Sequence, residues 1–338
     1  MAVSLTWLYV FTREFRQKYP IPGFFLYQSL KLPFIFLILV IAYSYYLYVY
    51  VLCYTVLWTT WNRNWGAFLI LAQLIIYLFV FHLLLFMFLW CLVQVMRTPT
   101  ARVPKEYYVD EETGRKLDEL KLNKEQTSKV EFPEWLEKRR AILEAFAASR
   151  GLNFAEIEED TNCLRYCYVC RLIKPDRCHH CRACGYCVLR YDHHCPYIYK
   201  CISYSNYKFF LLLLFYGAAL AIWTISTEIQ GLLYHFMHGA LYLGIQLVVG
   251  LIFQLLGGIF VIDVIRFHVS LTNTNDTTCE NDKVPYLRFE GASYDMGTAQ
   301  NWKYLLGRRL WILPVSTRYK DDNGLHFKIN IPNQVVTV

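Results

Sequence analysis

Four apolar blocks, at 33–57, 67–96, 209–234 and 241–265, set the first limit on what this chain can fold into. Each is about as long as a helix must be to cross the hydrocarbon core of a bilayer. Helices in the core of a soluble protein carry a polar stripe and rarely run so far without charge. With 56% hydrophobic and only 18% charged residues, the chain departs from soluble composition in the direction of a membrane protein. The blocks are not uniformly oily: Tyr43, Tyr45, Tyr46, Tyr48 and Tyr50 crowd the first, Gln73 and His82 sit in the second and Glu228 in the third. Such side chains are expected to face other helices, a cavity or an interface. Met1 to Phe11 hold no cleavable secretory pattern, and Ala2 rules out N-terminal myristoylation.

Charge orients the blocks. Of 34 Lys and Arg residues, 4 precede the first block, 20 lie in 97–208 and 9 follow residue 265, leaving Arg63 in the first short loop and none in the second. Lys and Arg collect on the cytoplasmic side of membrane helices. The expected order is therefore a cytoplasmic N-terminal segment (1–32), transmembrane helices 1 and 2 (33–96), a cytoplasmic linker (97–160), a cysteine-rich domain (161–208), transmembrane helices 3 and 4 (209–265) and a cytoplasmic C-terminal region (266–338). The net charge of +7 is explained by anionic lipid headgroups, with no nucleic-acid partner required. The sequon Asn275-Asp276-Thr277 falls on the cytoplasmic side and should carry no glycan. No retention or sorting signal chooses among Golgi, ER and plasma membrane.

Trp135, Leu136, Ile142, Leu143 and Phe146 recur at helical spacing, predicting an amphipathic helix over 132–149 that packs on the cysteine-rich domain or lies along the membrane. Residues 301–313, with Arg308 and Arg309, suggest a second interfacial helix. Val336-Thr337-Val338 has the form of a strand that adds to a PDZ domain, although hydrophobic C-termini are frequent.

Nine of the 12 cysteines fall between Cys163 and Cys201, in a loop assigned to the reducing cytosol where disulfides are disfavoured. His179, His180, His193 and His194 are interleaved with them, a mixture that reads as zinc ligation. The pattern C-x2-C-x9-H-x6-C occurs twice, offset by 14 residues: Cys167, Cys170, His180, Cys187, and then Cys181, Cys184, His194, Cys201. Two sites of three thiolates and one imidazole are full, which makes the metals structural. Spacing leaves the choice within each pair of adjacent histidines open by one residue, and the repeat favours the second of each. Among the remaining residues, Asp192-His193-His194-Cys195 sets a thiol beside a base. His193 can turn toward the Cys195 sulfur while Asp192 orients the imidazole, an arrangement that generates a nucleophilic thiolate. Cys195 is also the 14-residue counterpart of Cys181, so spacing alone reads it equally well as a spare ligand.

Residues 166–210 resemble the cysteine-rich domain of the DHHC protein S-acyltransferases, or palmitoyltransferases. The likeness rests on Arg165-Tyr166-Cys167, Ile173-Lys174-Pro175-Asp176-Arg177-Cys178-His179-His180-Cys181, Cys187-Val188-Leu189, Asp192-His193-His194-Cys195-Pro196 and Ser205-Asn206-Tyr207-Lys208-Phe209-Phe210. Thr277-Thr278-Cys279-Glu280 is similar to the family's TTxE motif, Asn301-Trp302 through Gly307 to its C-terminal asparagine motif, and Thr98-Pro99 is a weaker echo of the motif after the second span. The order of parts also agrees: an α-helical integral membrane protein with four transmembrane helices and a cytoplasmic zinc-binding domain between the second and third.

The resemblance implies that Cys195 takes a long-chain acyl group from acyl-CoA, such as palmitoyl-CoA, and passes it to cysteines of membrane-associated substrate proteins at the lipid surface. His193 would be the general base and Asp192 its partner, and the eight ligands would hold two structural zinc ions. Thr278 should contact the Asp192 region, Thr277 and Glu280 should hold their motif in place, and Asn301, otherwise readable as an N-cap, should pin the C-terminal segment to the membrane domain. A cavity among the helices would hold the acyl chain, with the tyrosines of the first span and Gly217, Ala218 and Ala219 as lining or packing residues. The chain departs from the family at Tyr197-Ile198-Tyr199-Lys200, where Trp-Val-Asn-Asn is usual, and at Ser203, where glycine is usual. Lys200 either faces Cys195 or points outward. These departures keep open a second reading, a catalytically weak or inactive membrane scaffold of DHHC type. A transporter would instead route function through Gln73, His82 and Glu228.

Overall fold

The structure, a computed structural model, describes residues 28–63, 68–126, 132–307, 310–316, 324–332 and 334–337, with 11–12, 15, 18–19 and 21–22. Residues 1–10, Ala67, Arg308, Arg309 and Val338, which carried expectations, lie outside the described residues. Four helices are long and apolar enough to cross a membrane: Leu32–Asn62, Phe68–Arg97, Tyr207–Met237 and Leu241–Thr274. The first begins as α1 (Leu32–Tyr46), with Pro33 in its first turn where a missing N–H is harmless, continues as a wider π-helix over Leu47–Trp58, and closes in an α turn, Thr59–Arg63. His235 Nε2 lies 3.2 Å from Thr55 Oγ1 and 3.4 Å from Val51 O, the kind of side-chain intrusion that widens a helical ladder. Next come α2 (Phe68–Arg97), α3 (Glu111–Gln126), α4 (Phe132–Ser149), α5 (Tyr207–Met237) and α6 (Leu241–Thr274). α5 packs along both α2 and α6. α6 continues to Thr274 although the apolar block stops at 265, because Arg266 and His268 interrupt the hydropathy and not the hydrogen-bond ladder. It ends only at Asn275, whose left-handed φ of 60° caps it.

Polar side chains in the spans pair across helices. Gln73 Nε2 donates to Gln230 Oε1 at 2.6 Å, and the fully buried Glu228 accepts from Gln254 Nε2 at 3.1 and 3.2 Å. Tyr45 Oη lies 3.4 Å from His82 Nε2. The tyrosines of the first span do not form a cavity wall as a group. Tyr43, Tyr46, Tyr50 and Tyr54 stack along the outer face with centroids 6.2, 5.6 and 5.5 Å apart, following the i, i+3/i+4 stripe of one helix side. Of Tyr43, Tyr45, Tyr46, Tyr48 and Tyr50, Tyr48 alone sits wholly inside, stacked on Phe81 at 4.1 Å and accepting from Trp223 Nε1 at 2.8 Å. Gly217 is a packing position, since a Cβ there would lie 3.2 Å from the Phe88 ring.

Between α4 and α5 the chain forms β1 (Glu156–Ile157) and three hairpins: β2 (Tyr166–Cys167) with β3 (Leu172–Ile173), β4 (His179–Cys181) with β5 (Tyr186–Val188), and β6 (His193–Cys195) with β7 (Lys200–Ile202). Their registers repeat at the 14-residue offset, pairing Cys167 with Leu172, Cys181 with Tyr186 and Cys195 with Lys200. Each turn carries one left-handed residue, Arg171, Gly185 or Tyr199 (φ 51°, 77° and 54°). Leu143, Phe146 and Ala147 of α4 share a core with Leu164, Tyr166, Leu172 and Ile173, so the amphipathic linker helix packs on the cysteine-rich domain.

Beyond α6 lie α7 (Thr278–Asp282), β8 (Tyr286–Leu287) paired with β1, α8 (Thr298–Leu306), and the hairpin of β9 (Lys328–Ile331) with β10 (Gln334–Thr337). The interfacial helix expected over 301–313 is shorter, since the chain leaves α8 at Gly307 with φ 86°. Val336 and Thr337 already pair with β9, which uses the C-terminal strand within the chain.

Gly250 of α6 lets Leu47 approach so closely that a Cβ would lie 2.0 Å from Leu47 Cδ1, whereas nothing lies within 4 Å of a Cβ at Gly257. Gly250→Val is expected to cost about 1–3 kcal/mol, read as a lower thermal midpoint in detergent, and Gly257→Ala is expected to leave the midpoint in place or raise it.

Candidate active site

Two groups of four donors converge as the spacing predicts. Cys167, Cys170 and Cys187 place their sulfurs 3.6, 3.2 and 3.9 Å from His180 Nδ1, and Cys181, Cys184 and Cys201 place theirs 3.7, 3.4 and 3.6 Å from His194 Nδ1. Ligand bonds of about 2.3 Å to sulfur and about 2.0 Å to nitrogen in a tetrahedron would separate S from N by roughly 3.5 Å. One ring nitrogen cannot hydrogen-bond three thiols at once, whereas one ion satisfies all four donors. The N–H groups of Cys170 and Cys184 point at the sulfurs of Cys167 and Cys181, both at 3.4 Å, which favours thiolates there. Both groups could hold a metal ion with no coordination position left open.

Hairpin geometry explains which cysteine is left over. His180 faces Cys187 across β4–β5, and His194 faces Cys201 across β6–β7. Successive strand residues point to opposite faces, so His194 turns to its metal group while His193 and Cys195, two apart, share the other face. A third donor group would begin at Cys195, but Ile198 stands where the first two hairpins have Cys170 and Cys184. Among the described residues, Cys195 belongs to neither donor group.

On that face His193 Nδ1 lies 2.6 Å from Asp192 Oδ2. Asp192 is wholly buried and accepts from Thr278 through the backbone N–H at 3.1 Å and the hydroxyl at 2.8 Å. Burial opposes the charge on Asp192, but the hydrogen bond and charge of His193 outweigh it and hold the carboxyl well below the usual carboxylate range. Burial likewise opposes the imidazolium, yet hydrogen bonds to Asp192 and Cys195 push His193 up to about 10. The ion pair therefore spans the physiological range. Cys195 is 6% exposed and lies in an apolar cluster with Cys91, Leu92 and Val95 of α2, Phe209 and Phe210 of α5, and Leu305 and Leu306 of α8.

Of the supporting residues named from the sequence, Thr277, Thr278 and Glu280 join the network around Asp192, and Asn301 lies outside it. Thr277 caps α7 in a capping box with Glu280: Glu280 N donates to Thr277 Oγ1 at 3.3 Å and Thr277 N to Glu280 Oε2 at 2.8 Å. Glu280 receives both Nε and Nη2 of the wholly buried Arg177, at 2.7 and 2.6 Å. Burial raises the Glu280 pKa, and the Arg177 charge more than offsets this, leaving it below the ordinary value. Asn301 is not an N-cap, since Gly297 occupies that place. Its Nδ2 donates to Asn273 O and Asp295 Oδ1, both at 2.7 Å, which pins α8 to the end of α6.

Other residues at the site carried no role in the sequence reading. Asn275 binds Arg177 through its carbonyl, accepts Arg190 Nη2 at 3.1 Å on Oδ1, and donates from Nδ2 to Tyr294 O at 2.9 Å, so its amide is not free for a glycan. His268 of α6 is buried, meets Tyr207 Oη at 3.0 Å, and lies with Asp192 and His193 in one polar cluster. The Phe210 ring stands edge-on to both imidazoles, at 5.3 Å from His193 and 5.0 Å from His268. Lys200 fits neither alternative drawn from the sequence, because its ammonium donates to the carbonyls of Met96 and Thr98.

Residues 160–284 match the family model described as DHHC palmitoyltransferase. The chain is 33% identical over 335 residues to palmitoyltransferase spe-10 of Caenorhabditis elegans, covering 96% of this chain and 91% of that protein. It is 30% identical over 285 residues to palmitoyltransferase ZDHHC15 of Xenopus laevis (80% and 78% covered) and 31% identical over 285 residues to palmitoyltransferase ZDHHC20-B of Danio rerio (81% and 80%).

Metal analysis of the purified protein is expected to give two ions per chain, kept in Cys195→Ala and reduced in His194→Ala; loss of an ion from Cys195→Ala would make that sulfur a ligand. Glu280→Gln leaves Arg177 buried without its anion and is expected to cost about 3–5 kcal/mol at neutral pH, seen as a lower thermal midpoint. Because the folded Glu280 pKa is depressed, the pair's stabilisation is present above the unfolded carboxylate range of about 4.3 and is lost as pH falls through the folded value, so the gap between variant and wild type should narrow on acidification.

Proposed function

This chain belongs to the DHHC palmitoyltransferase family, and from that premise we propose that it carries a long-chain acyl group from acyl-CoA on Cys195 and transfers it to cysteines of membrane-associated proteins at the cytoplasmic face. It is an acyltransferase enzyme with protein S-palmitoyltransferase activity.

In that reading both termini and the cysteine-rich domain are cytoplasmic, the orientation favoured by 20 basic residues in 97–208. Zinc in the two four-donor sites is structural, each ion contributing on the order of 10 kcal/mol to a domain built of short hairpins. The Cys195 thiolate attacks the acyl thioester carbon, the bond to the CoA sulfur breaks, and the proton held by His193 can neutralise the departing thiolate. In the second half His193 takes the proton of a substrate thiol, whose sulfur attacks the acyl-enzyme and releases Cys195. Asp192 keeps the imidazole oriented throughout and balances its charge.

The observation that carries this reading is the placement of Cys195: a sulfur outside the metal sites, beside a carboxylate-held imidazole, against apolar side chains of α2 and α5. Each acyl methylene kept out of water at that boundary is worth about 0.8 kcal/mol, so the thioester can meet the thiol without exposing the chain.

The test is labelling with an alkynyl fatty acid. Wild type should take up hydroxylamine-labile label and Cys195→Ala none. His193→Ala and Asp192→Asn should label at least about 100-fold more slowly while keeping two metal ions. Wild-type protein that binds both ions and takes no label would be the scaffold.

A further inference from the structure

The residue directly across the hairpin from Cys195 is Lys200. Its Nζ donates to Met96 O at 2.8 Å and to Thr98 O. α2 ends at Arg97, so these carbonyls lie at a helix C-terminus, where backbone acceptors lack N–H partners and the helix dipole favours a cation. A third bond, from Ser205 Oγ to Pro99 O at 2.6 Å, ties the segment after β7 to the chain leaving α2. Farther along, Leu189 N bonds Ala101 O at 3.0 Å and Val109 N bonds Arg171 O at 3.1 Å, so residues 96–109 run as a strap across all three hairpins. Lys200 is the tie nearest the nucleophile. It also reaches the helix that supplies Cys91, Leu92 and Val95 to the apolar cluster around Cys195.

We infer that Lys200 is a positioning residue, which by capping the C-terminus of α2 holds β7, and through it Cys195 on β6, at a set height against the membrane helices. The inference rests on Cys195 being the acyl carrier. At this position the resembling family usually has asparagine, whose short amide cannot reach as far as a lysine stem. A hairpin free to slide against α2 would keep its metals and still admit acyl-CoA, but would present the sulfur off line to the thioester carbon. Misplacement on the scale of an ångström costs about 100-fold in rate.

The experiment measures self-acylation by palmitoyl-CoA, normalised to bound zinc, in wild type, Lys200→Met, Lys200→Arg and Cys195→Ser. Lys200→Met should lower the maximal rate about 10-fold or more while the half-saturating palmitoyl-CoA concentration moves less than about threefold, and Lys200→Arg should recover most of the rate. A Lys200→Met protein with a lower thermal midpoint but the wild-type rate per zinc-loaded chain would overturn the proposal, as would Lys200→Arg being as slow as Lys200→Met. Should Lys200→Met fail to bind two zinc ions, Lys200→Gln is judged by the same criteria. Thioester label, cleaved by neutral hydroxylamine and so distinct from an oxygen ester on the new serine, persisting in Cys195→Ser would instead sink the assignment of the carrier, which separates the two failures.

Discussion

A β-strand turns neighbouring side chains to opposite faces, and at His193–Cys195 that alternation divides structure from chemistry. His194 points to a donor group whose other members come from the preceding hairpin and from Cys201, so the strand is fixed from one side. The opposite side then presents His193 and Cys195 together. Any residue inserted between them would exchange the faces and put the sulfur with the metal donors. The same strand position in the preceding hairpin is a ligand, Cys181; what frees Cys195 from that role is the apolar Ile198 one turn on.

The cysteine-rich domain is joined to the membrane helices through their ends. Arg177 and Arg190 both reach Asn275 at the C-terminus of α6, and Lys200 reaches the last carbonyls of α2. Cations from the hairpins thus answer the partial negative charge of two helix ends. The buried guanidinium of Arg177 requires an anion, and Glu280 supplies it from the short helix whose first residue, Thr278, also donates twice to Asp192. The fold of the domain, the ends of the helices and the orientation of the Asp192–His193 pair are therefore one network of hydrogen bonds. Breaking it at Glu280 should be felt at His193 although the two do not touch.

Much of this was legible in the sequence, because hydropathy and ligand spacing are local signals. The four spans follow from block length, and the two donor groups from a repeat whose residues are individually diagnostic. The hairpins hold a third copy of that repeat in the backbone, invisible to a count of cysteines because its second cysteine is Ile198. The length of α6 was missed because hydropathy stops at Arg266 while the helix does not. Side-chain direction was the other limit. The tyrosines of the first span are equivalent by composition, yet Tyr48 is internal while Tyr43, Tyr46 and Tyr50 line the outer face, a matter of helical phase. His268 and Tyr207 lie 61 positions apart and had no shared motif to bring them to one site.

Peptide-level tandem mass spectrometry of zinc-loaded protein, quenched soon after mixing with palmitoyl-CoA, tests the central claim most directly. The acyl adduct should map to the peptide containing Cys195, with all eight metal-donor residues unmodified. An adduct on Cys178, on Cys163 or on a donor cysteine, with Cys195 bare, would contradict it.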